Sequence, residues 1–385
     1  MKVDVSQNLP IKMWVSDLED VALKQAHNLA NLPFAFHHIA LMPDAHMGYG
    51  MPIGGVMAAN GVVVPNAVGV DIGCGMYAMQ TSLRRPDEET LKKILSKIRG
   101  RIPVGFAKHR TARMETLMPD VSGKYMPIVD REYFKARQSL GTLGGGNHFI
   151  ELQLDVEGNL WVMIHSGSRN LGKQVADHYN KVAKRLNKWW HAGVPESFDL
   201  AFLPIDSFEG QNYINEMEFC TEFALRNRRE MMTQVAEVLK EVHNRMFSMF
   251  DPINIAHNYA RMENHFGKNV MVHRKGATSA KLGEIGIIPG SQGTTSYIVE
   301  GRGNTESFQS CSHGAGRRMG RKQACRTLSL EDEQAKMKGI LHSINGEKNL
   351  DEAPGAYKDI KVVMERQRTL VDIRLRLQPI AVVKG

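Results

Sequence analysis

The sequence predicts an α+β fold, because strand-like and helix-like segments occupy separate parts of the chain. Short apolar runs interrupted by glycine predict strands and tight loops over residues 39–83. Two long stretches with apolar residues at helical spacing follow, at residues 172–191 and 210–250. Strands and turns return after this helical block, as far as Ser312. A glycine-rich β framework with a separate helical block is therefore expected.

The first predicted elements are a helix and a buried strand. Residues 16–32 have helical spacing, and Ser16 with Glu19 three residues later is typical of a capping box. Pro33 is a natural end for this helix. Residues 61–64, Gly-Val-Val-Val, predict a short buried strand.

The next segments lead up to a histidine. Residues 86–98 predict a helix that ends at Gly100, and the basic, irregular residues 101–130 favour a solvated loop. The apolar residues 161–164 predict a short strand with His165 at its end.

The helical block, with the link at residues 195–204, is interpreted as an insertion over residues 172–250. Its second helix has apolar residues spaced for a core face, and its methionines and aromatics are interpreted as core. Further helices are predicted near residues 330–345 and 359–377.

Composition limits the class of protein. The 385 residues are 42% hydrophobic, which is enough for a core, and the net charge of +8 permits a polyanionic partner without showing one. Four cysteines show no paired spacing, so a reducing, cytoplasmic setting is the simpler expectation. The N-terminus shows no secretory signal, and the uncharged run before Asp71 is too rich in glycine and asparagine for a membrane span.

An acid and a thiol share one glycine turn in Asp71-Ile72-Gly73-Cys74-Gly75. Such a pair is unusual unless a cation lies between the two side chains. Three histidines in similarly marked contexts, His148, His165 and His257, would complete a set of five metal ligands. The alternative for Cys74 is a small buried hydrophobic residue.

A fourth histidine, His313, lies among small residues that keep its ring accessible, and Arg317 follows with a guanidinium suited to phosphate. The residues alone leave open a metal ligand, an acid or base, a nucleophile, or a histidine satisfied within a turn.

With these motifs the chain resembles the RtcB family of tRNA-splicing RNA ligases. The family joins RNA ends carrying a 3′-phosphate or 2′,3′-cyclic phosphate to 5′-hydroxyl ends. The matching blocks run in order over nearly the whole chain: residues 42–48, 68–75, 140–151, 165–169, 274–277, 289–291, 312–317, 356–360 and 383–385. Because both ends must meet in one site, the resemblance implies a single catalytic domain, residues 1–385, around a metal centre.

The resemblance implies two Mn(II) ions bridged by Cys74. One would be held by Cys74, His165 and His257, and the other by Asp71, Cys74 and His148. The ligand types alone leave zinc and manganese open. The implied catalytic residues are His313, which would carry GMP from GTP, together with Asp71 and Cys74.

The resemblance also implies a GTP site and contacts to the RNA end. Glu151 and Lys384 would bind the guanine edge, and Phe149 and Tyr357 its face. Ribose and phosphates would contact Asn147, Asn258, Ser291, Ser296, Ala315 and Gly316. The candidates for the RNA phosphate are Arg169, Arg274, Lys275, Arg317 and Arg321. The chain lacks both the Walker P-loop and the K-x-D-G motif, so GTP binding rests on the resemblance.

Some features depart from the family, and other functions compete. The chain is somewhat short, residues 101–139 are compressed, and Gln292 stands where methionine is usual. A specialised enzyme that repairs cleaved rRNA or tRNA is one expectation, and dependence on an archease activator is left open. The alternatives are a metal-dependent RNA cyclic phosphodiesterase without ligation, which would need neither His313 nor Glu151, and an RNA-binding module without catalysis.

Overall fold

A computed structural model describes residues 1–385, apart from the side chain of Asp251. The helices are α1 (Asp20–Ala30), α2 (Pro65–Val68), α3 (Glu88–Arg101), α4 (Pro127–Ser139), α5 (Leu171–Trp189), α6 (Phe208–His243), α7 (Arg321–Thr327), α8 (Leu330–Lys336) and α9 (Ile360–Arg366). Single 3-10 turns lie at Glu115–Leu117, Glu196–Phe198, Thr305–Ser307, Glu347–Glu352 and Pro354–Ala356.

The strands form two large sheets and two small ones. They are β1 (Lys2–Asp4), β2 (Ile11–Met13), β3 (Ala35–His46), β4 (Ile53–Ala59), β5 (Val62–Val63), β6 (Gly75–Arg84), β7 (Phe149–Leu154), β8 (Asn159–Ser166), β9 (Leu203–Pro204), β10 (Met249–Ala256), β11 (Asn258–His265), β12 (Lys268–Lys275), β13 (Ala277–Ser279), β14 (Ile285–Ile288), β15 (Ser296–Gly301), β16 (Ser310–Ser312) and β17 (Val371–Lys384). The six-stranded sheet has the order β1-β2-β3-β4-β12-β11, and the seven-stranded sheet β10-β6-β8-β7-β17-β15-β14.

Helices α3 and α6 cover one face of the seven-stranded sheet. Apolar residues of α6, among them Met232 and Val235, pack in one core cluster with Ile150 and Val162 of the sheet. A second cluster joins α5 to the first half of α6, where Phe219 and Phe223 are buried. The mixed helix and sheet architecture confirms the predicted α+β class. The core role of the predicted face holds as far as Leu239, but Met246 and Phe250 lie beyond α6 and are exposed, so for them the prediction was wrong.

Tertiary contacts explain where the predicted helices were wrong. Ser16 is not an N-cap, because α1 begins only at Asp20, and the main chain at Trp14 is still hydrogen-bonded to Leu41. Helix α4 was missed, because the carboxylate of Glu216 on α6, rather than a local residue, accepts hydrogen bonds from the first turn of α4.

The C-terminal helices are shorter than predicted. The helix expected over residues 359–377 ends at Arg366, and β17 takes the rest of the chain. Residues 371–377 alternate apolar and charged side chains, and this period of two is typical of a strand. The helices expected at 330–345 and 210–250 also end early, at Lys336 and His243.

The other predicted elements were confirmed with small shifts in their bounds. Strand β8 carries His165, and β5 covers two residues of the predicted strand at 61–64. That the helical block is an insertion remains a prediction. Across the residues that the structure describes, no helix combines the length and apolar character needed to cross a membrane.

Candidate metal centre and adjoining cavities

Four predicted metal ligands lie at one edge of the seven-stranded sheet. Cys74 directly precedes β6, His148 directly precedes β7, His165 lies near the end of β8, and His257 directly follows β10. These strands are neighbours and antiparallel, so the start of one lies beside the end of the next. The strand order therefore brings together residues that are up to 183 positions apart in the sequence (257 − 74).

The predicted ligands form two groups that share Cys74. Cys74, His165 and His257 make one group and Asp71, Cys74 and His148 the other, with ligand atoms within 4.8 Å of one another in each. The Cys74 sulfur lies 3.3 Å from Nε2 of His165 and 3.5 Å from Nε2 of His148. Asp71 Oδ2 is 3.2 Å from the same His148 nitrogen.

Backbone carbonyls orient two of the imidazoles. Nδ1 of His148 donates to Leu143 O at 2.9 Å, and Nδ1 of His165 donates to Asn147 O at 3.0 Å. Each Nε2 is thereby directed at Cys74, which is the usual arrangement of a metal-binding histidine. Nδ1 of His257 is buried and has no hydrogen-bond partner among the described residues, as suits a ligand atom.

Burial and neighbouring charges shift the pKa values of four of the predicted ligands. Burial alone would raise the pKa of Asp71, but hydrogen bonding and charge from His148 outweigh it and lower the pKa to about 2. Burial, with Asp71 next to it, raises the pKa of the Cys74 thiol well above its usual value. Burial lowers the pKa of His165 and His257, so both rings are neutral. Sulfur, imidazole and carboxylate donors together fit one or two divalent transition-metal ions.

A buried arginine that no sequence motif marks supports the main chain beside the cluster. Arg228 on α6 is fully buried and donates to the carbonyls of Gly73 at 3.0 Å, Ser166 at 2.8 Å and Ile255 at 3.1 Å. These residues are next to or near three of the ligands. Burial lowers the pKa of Arg228 to about 10, so the guanidinium is charged at neutral pH. Helix α6 thus takes part in the site.

His313 lies between the metal cluster and a second set of side chains. Its Nδ1 is 2.6 Å from Oδ2 of Asp44, and the same oxygen accepts from the His313 main-chain N–H at 3.1 Å. Asp44 is completely buried, so the carboxylate holds the Nδ1–H tautomer and leaves Nε2 with its lone pair. Asp44 belongs to the first of the blocks that resemble the family, residues 42–48, but it was given no role there.

A cavity of about 220 Å³ opens on one side of His313. Eight of the ten predicted nucleotide contacts line it: Asn147, Phe149, Glu151, Ser291, Ala315, Gly316, Tyr357 and Lys384. The penultimate residue Lys384 is half-buried there because β17 pairs with β7, with Lys384 opposite Phe149. Ser296 lies behind the wall, where its hydroxyl contacts Gln153 and the Gly290 N–H.

Glu352, which the sequence analysis missed, is the centre of charge in this cavity. Its buried carboxylate accepts hydrogen bonds from the Tyr357 hydroxyl, from Arg317 at 2.9 Å and from Lys384 at 3.4 Å. Arg321 lies 3.2 Å away. Burial would raise the pKa of Glu352, but Lys384 and the other partners outweigh it and hold the pKa below its usual value. No local motif marks this acid.

Glu151 differs from Glu352. It is buried in β7, and the Gln153 side chain donates to it at 2.7 Å. Burial raises the pKa of Glu151 to about 8, with Gln153 and Lys384 opposing this only in part. In the free protein at neutral pH this carboxyl is therefore mostly protonated.

A cavity of about 520 Å³ opens on the other side of His313, lined by Asp71, Cys74, Asn147, His257, Asn258, Lys275 and Arg321. Lys275 donates to the carbonyls of Tyr49 at 2.5 Å and Asn66 at 2.9 Å. Arg169 donates to Thr142 and to Gly105 O. The roles of these cations at an RNA phosphate remain predictions. Arg274 is fully buried in an ion pair with Glu263, so the prediction that it contacts the RNA phosphate was wrong.

An α+β fold with a cysteine, histidine and carboxylate cluster beside two cavities fits a metal-dependent enzyme. The chain belongs to the tRNA-splicing ligase RtcB family, since the model of that family, described as tRNA-splicing ligase RtcB, matches residues 25–125 and 117–385.

Curated relatives agree over their whole lengths. The chain is 38% identical to RNA-splicing ligase RtcB of Escherichia coli strain K12, over 99% of this chain and 98% of the relative. It is 32% identical to tRNA-splicing ligase RtcB of Thermococcus kodakarensis, over 100% and 96%. For tRNA-splicing ligase RtcB of Archaeoglobus fulgidus the identity is 33%, over 96% and 92%. The protein is therefore an RNA ligase, and its substrates are RNA.

Proposed function

We propose that the protein joins RNA 3′-phosphate or 2′,3′-cyclic-phosphate ends to 5′-hydroxyl ends, using GTP and two Mn(II) ions through a GMP adduct on His313. The observation that carries the proposal is the placement of His313. Its Nδ1 is held by Asp44, and its ring lines both the cavity with Glu151 and the cavity that reaches the metal ligands.

In this scheme His313 is the nucleophile. Nε2 attacks the α-phosphorus of GTP, the bond to the β-phosphate oxygen breaks, and pyrophosphate leaves. The Asp44 carboxylate stabilises the positive charge that develops on the imidazole. The metal ions, held by Asp71, Cys74, His148, His165 and His257, would supply electrostatic stabilisation of negative charge on the phosphoryl oxygens.

The RNA ends react next. An oxygen of the RNA 3′-phosphate attacks the phosphorus on His313, breaks the N–P bond and leaves the RNA end capped with GMP. The 5′-hydroxyl then attacks the 3′-phosphate and expels GMP. A cyclic end would first be hydrolysed to a 3′-phosphate.

The first cavity suits guanine. Carboxylate oxygens of Glu151 would accept from N1–H and the exocyclic amine, and Lys384 would donate to O6. Phe149 and Tyr357 would contact the base, and Asn147, Asn258, Ser291, Ser296, Ala315 and Gly316 the ribose and phosphates. Because adenine would leave Glu151 and Lys384 unpaired, ATP should not replace GTP.

The proposal extends to the setting of the reaction. Arg169, Lys275, Arg317 and Arg321 are proposed to contact the phosphate of the RNA end. The substrate RNA would be tRNA or cleaved rRNA in the cytoplasm, with an archease as the activator to test.

The test is protein labelling with α-³²P-GTP and Mn(II). Wild-type protein should form an acid-labile adduct, and the His313→Ala variant should not. The variant should still bind Mn(II) and seal an RNA supplied with a 3′-guanylate cap, because His313 acts only before that step. His342→Ala, a histidine outside both cavities, is the matched control.

Several outcomes would contradict the proposal. An adduct on His313→Ala would exclude His313 as the nucleophile, and loss of Mn(II) with the capped RNA unsealed would make it a metal ligand. Labelling by ATP equal to that by GTP would exclude the guanine contacts. Opening of cyclic phosphates by wild-type protein without any joining would identify the phosphodiesterase instead.

A further inference from the structure

Helix α5 leads away from the metal centre. Its N-terminal end is fixed there, because the Ser168 N–H donates to Asp71 at 3.3 Å, and the Ser168 hydroxyl contacts the first turn of the helix. The 19 residues of α5 extend ~28 Å at about 1.5 Å per residue. Its last residue, Trp189, is therefore at the far end of a path that begins at the proposed site.

The outer face of α5 is basic along this path. Lys173, Lys181, Lys184, Arg185 and Lys188 are all exposed, and we call them the basic stripe. Their positions, i, i+8, i+11, i+12 and i+15, place them on one side of the helix. The opposite side, with Val175, Tyr179 and Ala183, is buried in the core. The basic stripe therefore faces solvent, because the opposite side of α5 is packed in the core.

The stripe has excess positive charge and ends in an exposed aromatic ring. Lys173 pairs with Asp177 and Lys184 with Asp199. Among the described side chains, Lys181, Arg185 and Lys188 have no acidic partner, and residues 178–195 include no acid. Trp189 is 75% exposed although burial of an indole is favourable.

We propose that the basic stripe and Trp189 bind the body of the RNA substrate, outside the reacting ends. Lysine and arginine at helical spacing would follow the phosphates, and the indole would stack on an unpaired base. The proposal rests on the ligase function proposed above, and names a second contact region for the same substrate. A membrane surface fits less well, because the apolar side of α5 is already packed within the protein.

The length of α5 predicts which RNAs should bind through the basic stripe. At ~3.4 Å per base step, ~28 Å corresponds to roughly eight steps of a strand from the metal centre. Lys181, the first of the unpaired cations, lies ten residues or ~15 Å from the start of α5. RNA with arms of about three nucleotides should end before it, whereas arms of about fifteen should reach Trp189.

The test compares a triple variant of the stripe, Lys181→Gln with Arg185→Gln and Lys188→Gln, with wild-type protein. The control is Lys92→Gln with Lys93→Gln and Lys97→Gln, which removes the same charge from exposed positions of α3. The dissociation constant for each RNA is measured by filter binding in Mn(II)-free buffer, from low to high salt. GTP labelling and ligation are measured on the same proteins.

For the long RNA, the stripe variant should bind at least about tenfold more weakly, and the slope of log K against log salt should fall by about 2–3. Its affinity for the short RNA and its GTP labelling should stay within about twofold of the control. Trp189→Ala should weaken long-RNA binding about five- to tenfold, and Trp189→Phe should restore most of it, because a ring still stacks.

Three results would overturn the inference. These are a salt slope for the long RNA equal to that of the α3 control, an equal loss for short and long RNA, and loss of binding to anionic phospholipid vesicles with RNA binding unchanged. Failure of wild-type protein to label with GTP would instead remove the proposed ligase mechanism. RNA binding needs no GTP, so the two failures can be told apart.

Discussion

The site has two halves that are built in different ways. The metal half is the cluster of Asp71, Cys74, His148, His165 and His257, and the nucleotide half is the cavity lined by Glu151, Glu352 and Lys384. The metal half uses strand ends of one sheet, and backbone carbonyls fix the imidazoles of His148 and His165. The nucleotide half is closed by the short turns Glu347–Glu352 and Pro354–Ala356, where one carboxylate, Glu352, gathers the nearby cations. The first is held by hydrogen bonds of the framework and the second by a cluster of side-chain charges.

This difference has a consequence for ligand binding. The metal half can reach its geometry before a cation binds, because its supports are main-chain groups and Arg228. In the nucleotide half Arg317, Arg321 and Lys384 share a single carboxylate, Glu352, which holds them in place and leaves a net positive charge among these four groups. Loss of one support should therefore lower the affinity of the whole metal half for Mn(II) strongly. Loss of one contact in the nucleotide half should lower its affinity for GTP only in part.

The largest effect is expected at the shared ligand. Cys74→Ala removes a donor from both groups at once, so affinity for Mn(II) should fall more than ~100-fold, and GTP labelling and ligation should both be lost. Calorimetry with Mn(II) and labelling measure this directly. Cys220→Ala, an equally buried cysteine of α6, is the control. Labelling retained in folded Cys74→Ala protein would exclude the bridging position.

The next largest effect is expected at Arg228, which supports the metal half. Arg228→Met removes the hydrogen bonds of a buried guanidinium to three main-chain carbonyls and to the Asn254 side chain, so the free energy of unfolding should fall by about 3–5 kcal/mol. Mn(II) affinity should fall with it, because the segments near Cys74, His165 and His257 lose their common support. Denaturant titration should show no such loss for Arg229→Met, an exposed neighbour. An unchanged Mn(II) affinity in Arg228→Met would limit this arginine to stability.

A smaller and more selective effect is expected at Glu352. The Glu352→Gln variant keeps the shape of the side chain but removes the charge that holds Arg317, Arg321 and Lys384. Lys384 should lose its position, and KM for GTP should rise roughly tenfold, as for one charge-assisted contact. Mn(II) affinity should stay within about twofold of wild type. Glu347→Gln is the exposed control, and a parallel loss of Mn(II) would show that the two halves are coupled.

The same contrast explains what the sequence could predict. The predicted metal ligands stand in distinct local patterns, most of them beside glycines, and the structure brings all five together. Glu352, Arg228 and the role of Asp44 depend on partners far away in the sequence, which no local pattern reveals. The α+β class was predicted from periodicity, whereas α4 needed the cap from Glu216, and β17 was read with the wrong period.

The last expected effect needs no substitution: it is a pH dependence that belongs to the nucleotide half alone. Glu151 has a pKa of about 8 in the free protein, because it is buried, so only a small fraction is ionised at neutral pH. Guanine donates two hydrogen bonds and needs the carboxylate form. GTP binding should therefore release a proton, and the apparent affinity scales with the ionised fraction.

The direction of the pH dependence follows from the ionised fraction of Glu151. As the pH rises from about 6 to 7, KM for GTP should fall roughly tenfold, and the decrease should level off above about pH 8. Glu151→Gln cannot ionise, so its KM, although higher, should not follow this curve. The measurement is the initial rate of labelling at several GTP concentrations, with Mn(II) kept saturating at each pH. A wild-type KM that does not change over this range would mean that Glu151 is ionised before GTP arrives, or that guanine does not contact it. The first result would remove the difference in charge between Glu151 and Glu352, and the second would remove Glu151 from the guanine site.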